Sequence, residues 1–128
     1  MRSLLLSLLL AVWVVPTQAH RERCVMEKKV YKILTAKHWS DFKKAGIFEG
    51  SSADLEDGFI HLSTQKQLAR IIKKYFSGVR PIYLVEFSSK EFLRKLKWEA
   101  ASNGDLYPHL YDEPLRKRDI NHVEEVFK

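Results

Sequence analysis

Asp57, His61 and Ser63 are the first residues whose types and spacing could do chemistry. They lie in Asp57-Gly58-Phe59-Ile60-His61-Leu62-Ser63-Thr64, where Gly58 follows an acidic run and reads as the turn into a short strand. Residues two apart share one face of a strand, so His61 and Ser63 put an imidazole and a hydroxyl side by side. Thr64 with Gln67 fits the S/T-x-x-E/Q capping box that opens a helix. Strand ends that feed a helix start collect free amide donors and tend to hold ligands, anions most readily. On this stretch alone His61 reads equally as a ligand-facing ring or as a core histidine bonded to backbone.

A second polar group stands downstream, in Trp98-Glu99 and in Tyr107-Pro108-His109-Leu110-Tyr111. Glu99 and His109 are the candidate catalytic residues, by acid–base or electrostatic action. His61, Ser63, Asp57, Trp98 and Tyr111 are the candidate ligand-binding residues. Aromatic rings beside a carboxylate and imidazoles suit a flat heteroaromatic or sugar-bearing ligand, held by stacking and a few placed hydrogen bonds. The competing reading makes Trp98 and Tyr107 core residues and leaves Glu99 merely exposed.

Several other chemistries are poorly served. No G-x-S-x-G elbow supports a Ser-His-Asp triad, and neither a phosphate-binding P-loop nor G-x-G-x-x-G is present. His61-Leu62-Ser63 matches the H-x-S/T unit of two-histidine phosphoesterases, but the second copy would be His109-Leu110-Tyr111, and tyrosine does not satisfy it. The five histidines and one cysteine show no zinc spacing, so no metal site is expected.

The elements that must position these residues alternate in type. Val30 to Leu34 reads as a first strand, followed by a helix capped by Thr35, carrying Trp39 and Phe42 inward and ending at Gly46. Residues 47–52 read as a turn-rich connection. The helix after Thr64 places Leu68, Ile71, Ile72, Tyr75 and Phe76 on one stripe, with Gly78 as its stop. Ile82 to Phe87 is apolar enough for the inside of a sheet, and Ser88 with Glu91 suggests another capped helix. Lys97 to Ala101 is extended, Asn103-Gly104-Asp105 is a turn, and Pro108 argues for an edge position if 107–111 is a strand. Residues 120–127 fit either a last strand or a helical turn.

The N-terminus carries its own signal. Arg2, the apolar run from Leu4 to Val15 and Thr17-Gln18-Ala19 form a secretory signal pattern, with residues 1–19 removed and the protein exported. Residues 20–28 would be a flexible leader and 29–128 one domain, with no membrane attachment after cleavage. Cys24 either stays free, in a monomer, or links two chains. The formal net charge is +6, but the basic residues are spread over many segments, as on solvated helix faces, so no specific nucleic-acid partner is expected.

From about Val30 to Ile120 the chain resembles the family called domain of unknown function 952. The resemblance rests on Tyr31-Lys32-Ile33-Leu34, Trp39, Gly46-Ile47-Phe48 with Gly50-Ser51, the Asp57–Thr64 stretch with Gln67, Phe76 with Gly78, Trp98-Glu99 with Gly104, and Pro108–Tyr111. It implies a compact α+β domain, with no established activity. A more distant similarity links Val30-Tyr31-Lys32, Gly46-Ile47 and Ile60–Ser63 to ADP-ribosyltransferase-like domains, including RNA 2′-phosphotransferases. That similarity implies a split, mostly antiparallel sheet with two to three helices. It also implies NAD or another nucleotide as substrate or ligand, with His61 packing on nicotinamide and Glu99 as the carboxylate holding a ribose hydroxyl. The first-strand histidine of those enzymes is replaced here by Lys32 or Ile33. The chain is therefore expected to bind a nucleotide-like small molecule around His61, with turnover of that ligand left open; the alternative is a non-catalytic ligand-binding or protein-interaction module of the same fold.

Overall fold

The first strand, β1 (Lys29–Thr35), is buried on both faces, and the domain is built around it. It pairs antiparallel with β4 (Ile82–Ser88), and β4 pairs antiparallel with β8 (His122–Val126), giving the order β1-β4-β8. A second three-stranded antiparallel sheet has the order β3-β6-β5, with β3 (Ile60–His61), β5 (Leu96–Ala100) and β6 (Leu106–Leu110). A small ladder joins β2 (Ile47–Phe48) to β7 (Leu115–Arg116). The computed structural model describes residues 28–128; the expected signal segment, most of the leader and Cys24 lie outside the described residues.

Two backbone bonds stitch the large sheets together. The Tyr31 amide donates to Ser63 O at 2.8 Å and the Ser63 amide to Tyr31 O at 2.9 Å. Pro108 explains why the chain is free to do this. It lies in the middle strand, β6, rather than at the expected edge, facing the point where β3 ends. Its carbonyl accepts from the Leu62 amide at 3.0 Å, but it has no N–H to return. The ladder therefore stops at His61, and Ser63 turns to β1 instead.

Among the described residues three α-helices cover the sheets. α1 (Ala36–Ala45) starts at Thr35, whose hydroxyl accepts from the His38 amide, and ends at Gly46, where φ is 77°. It packs Phe42 and Trp39 onto one face of β1 and β4, against Val30, Leu34, Val85 and Phe87. α3 (Leu68–Tyr75) covers the other face, where Leu68, Ile71, Ile72 and Phe76 meet Tyr31, Ile33, Ile82 and Leu84. Tyr75, expected on that stripe, is instead largely exposed. α2 (Ser52–Asp57) occupies part of the segment read as turns. Ser51 caps it in a reciprocal box with Asp54, and Gly58 closes it with φ 84°. The helix expected after Ser88 is a pair of one-turn 3-10 segments, because Leu96 is already needed in β5. The C-terminal segment resolves as the strand β8. The α+β class, the antiparallel sheets and the three helices agree with the sequence reading.

Candidate functional site

Asp54 is the hub of the site. Its side chain is 2 % exposed and meets four donors. The Ser51 amide and Lys32 Nζ each donate to Oδ2 at 2.8 Å; the His61 amide donates to Oδ1 at 3.1 Å, and His61 Nδ1 lies 2.6 Å from that oxygen. Burial pushes this carboxyl up, but the His61 hydrogen bond, the Lys32 charge and hydrogen bond and the Ser51 amide together outweigh it. They hold Asp54 well below the ordinary carboxylate range. Gly50 makes room for this packing. Its φ is 130°, and a Cβ there would stand 2.9 Å from Asp54 Cβ.

Lys32 interrupts the apolar face of β1, between Val30 and Leu34. Its ammonium is buried, donates also to the His61 carbonyl at 3.1 Å, and lies 5.8 Å from the centre of the Phe48 ring. Burial lowers its pKa, against the upward pull of Asp54. Neither Lys32 nor Asp54 is among the catalytic or ligand-binding candidates that the sequence offers. The available signals were a lysine inside the apolar run Val30–Leu34 and Ser51-x-x-Asp54, which has the spacing of a capping box.

His61 is held from both ends, with Asp54 on Nδ1 and Asp57 Oδ2 2.9 Å from Nε2. Directly across the β3–β6 ladder lies His109. The two rings sit 5.6 Å apart, edge to face, and Phe59 contacts both, stacking on His109 at 4.1 Å. His109 Nδ1 is 3.1 Å from Glu99 Oε1, and that same oxygen accepts from the Tyr111 hydroxyl at 2.6 Å. Burial lowers the His109 pKa, helped by the neighbouring His61 and opposed by the Glu99 hydrogen bond. The Tyr111 and His109 hydrogen bonds keep Glu99 below its ordinary value. His109 Nε2 has no hydrogen bond among the described residues.

Both imidazoles open onto a cleft of about 480 Å³, within the size range of small-molecule sites. Lys32, Asp54 and Asp57 line it beside the two rings, together with Ile33, Leu62 and Ser63, with Arg70, Ile71, Lys74 and Tyr75 of α3, and with residues 101–103 and Tyr107. Ser63 is 6 % exposed, and its hydroxyl makes no hydrogen bond within the described residues. The structure thus gathers Asp57, His61, Ser63 and His109 at the cleft. Glu99 and Tyr111 stand behind His109, as its support rather than as lining. Trp98 packs on the opposite side of β5, against the core and under Lys28 Nζ at 4.6 Å from the ring centre. Among the described residues no cluster of three or more potential ligands could hold a metal, and no helix is long and apolar enough to cross a membrane.

The same fold has been seen before. The crystal structure of protein CC0527 from Caulobacter crescentus is 38% identical, with a TM-score of 0.72 over 76% of this chain and 84% of that one. A crystal structure of its double mutant gives the same values, and the solution NMR structure gives a TM-score of 0.66 over 75% and 82% at the same identity. No curated protein matches the chain. Residues 33–123 match the sequence model of the family described as protein of unknown function (DUF952), and the chain belongs to that family.

Proposed function

We propose that the cleft binds a nucleotide-like ligand of the NAD type, and that His109 works on it as a general base. One observation carries this reading: two imidazoles paired across a ladder, each anchored at Nδ1 by a different carboxylate and both opening onto one cleft. Burial lowers the His109 pKa and so favours its neutral ring, and the Glu99 contact at Nδ1 leaves Nε2 free to take a proton. In hydrolysis of NAD the bond from ribose to the ring nitrogen breaks with its electron pair going to nitrogen. A water oxygen bonds to the ribose carbon and gives its proton to His109. His61 orients the leaving ring, Ser63 bonds ribose or phosphate, and Glu99 fixes the His109 tautomer. The distant similarity to ADP-ribosyltransferase-like domains at Ile60–Ser63 supports the same ligand class.

One feature favours binding without turnover. Lys32 stands near the place of the first-strand histidine of those enzymes, and its ammonium is committed to Asp54 and the His61 carbonyl. A thermal-shift titration of the whole chain with NAD, ADP-ribose and nicotinamide separates the readings. A ligand at about a hundred times its Kd stabilises the fold by roughly 2.7 kcal/mol, and that shift is expected to disappear in His61→Ala. Release of nicotinamide from NAD, abolished in His109→Ala even at saturating NAD, supports catalysis. Binding without release supports the second reading. No shift with any of the three sinks the nucleotide proposal.

A further inference from the structure

The cleft lining carries two cations that the site described above does not use, Arg70 and Lys74 of α3, four residues apart and so on one face of the helix. The third cation in the lining, Lys32, is already spent on Asp54 at 2.8 Å. Arg70 is held only loosely, 3.5 Å from Asp105 with both side chains more than half exposed, and an exposed pair of this kind is worth little. Lys74 lies 5.0 Å from the Tyr75 ring centre and has no carboxylate partner among the described residues. Two cations on one wall, both lining the cavity and neither firmly neutralised, are poorly used unless an anion arrives between them.

We propose that Arg70 and Lys74 are the phosphate anchor of this site, fixing the direction in which the ligand lies. This rests on the nucleotide reading above. The phosphate groups sit against α3, where Arg70 offers a planar pair of donors and Lys74 a point charge. The heterocycle runs past Ile33 and Leu62 toward His61 and His109. The wall thereby selects ligands with an anionic arm over bare nucleosides or free bases.

The test is calorimetric titration of the chain with ADP-ribose, adenosine and nicotinamide, repeated on Arg70→Ser/Lys74→Ser and on Asp105→Asn. The double variant is expected to lose about tenfold or more in ADP-ribose affinity, since charge-assisted bonds to phosphate are among the stronger ones. Nicotinamide affinity should be unchanged, and the salt dependence of ADP-ribose binding should flatten. Asp105→Asn frees Arg70 and is expected to tighten ADP-ribose binding, opposite in sign to a variant that only loosens the fold. Equal ADP-ribose affinity in wild type and the double variant, or weaker binding in Asp105→Asn, overturns the anchor and leaves the nucleotide reading standing. Absence of ADP-ribose and nicotinamide binding to the wild-type chain removes both.

Discussion

His61 and His109 face each other across the β3–β6 ladder, and each is gripped at Nδ1 by a carboxylate from a different element. Asp54 of α2 holds the first at 2.6 Å and Glu99 of β5 the second at 3.1 Å. This relationship turns two ordinary strand positions into a pair of oriented rings, because an imidazole bonded at Nδ1 has a set tautomer and a set direction for Nε2. The two holdings differ in depth. Asp54 is buried and itself held by Lys32 and two backbone amides, whereas Glu99 is partly exposed and held mainly by Tyr111.

His109 should therefore titrate below its ordinary value of 6.5, with Glu99 pulling back against burial and against His61. Removing that pull in Glu99→Gln is expected to lower the His109 pKa further, leaving the ring neutral over more of the acid range. Two-dimensional NMR of the imidazole protons and nitrogens against pH measures this directly. An upward shift in Glu99→Gln would mean that the carboxylate does not support the ring. The sign for stability follows: a histidine depressed in the fold binds protons more readily when unfolded. Its contribution to stability therefore falls as pH drops below 6.5.

The Asp54 hub makes a larger prediction. Asp54→Asn keeps the shape but removes the charge opposite a buried ammonium, and breaking one side of a buried ion pair costs about 3–5 kcal/mol. Lys32→Met is expected to be milder, since Asp54 keeps the His61 ring and two backbone amides. Urea unfolding of both variants gives the order, and a milder Asp54→Asn would place the charge elsewhere. Because Asp54 is depressed, its share of stability is present above about pH 4, the ordinary carboxylate range, and is lost as pH falls toward its folded value. The acid limb of the stability curve should be flatter in Asp54→Asn.

What was legible in the sequence was local. Thr35 and Gly46 bound α1, Gln67 Oε1 accepts the Thr64 amide at the start of the third helix, and His61 and Ser63 share a face, all as spacing predicts. Lys32 and Asp54 were not legible as a pair, because they lie 22 residues apart and meet only when α2 folds back on β1. Asp54 also sits in the acidic run 54–57, where a turn explains the composition as well as a buried charge does. Pro108 shows the same limit. Its missing N–H bars it from most central strands, but not from one whose neighbour ends beside it.

Trp98 separates binding from packing. It packs on the core beyond the cleft lining, so Trp98→Phe should lower the thermal midpoint, and the loss of aromatic area sets the direction. Affinity for any cleft ligand should stay unchanged. His109→Ala should do the reverse to affinity, since that ring lines the cavity. A ligand affinity that follows Trp98 rather than His109 would move the site to the other side of β5.

Gly50→Ala tests how tightly the hub is built. The added methyl would stand 2.9 Å from Asp54 Cβ, and the backbone there is at φ 130°, which side chains rarely adopt. Such strain costs on the order of 1–3 kcal/mol, and relief requires Asp54 to shift. Gly104→Ala is the comparison, with φ 85° and nothing within 4 Å of the new methyl. It carries backbone strain but no collision and lies on a hairpin turn away from Asp54. Gly50→Ala should be the more destabilising of the two, and it alone should move the His61 ring resonances, because displaced Asp54 no longer meets Nδ1 at 2.6 Å. Equal stability losses with an undisturbed His61 spectrum would show that Asp54 reaches its four donors without needing the space beside Gly50.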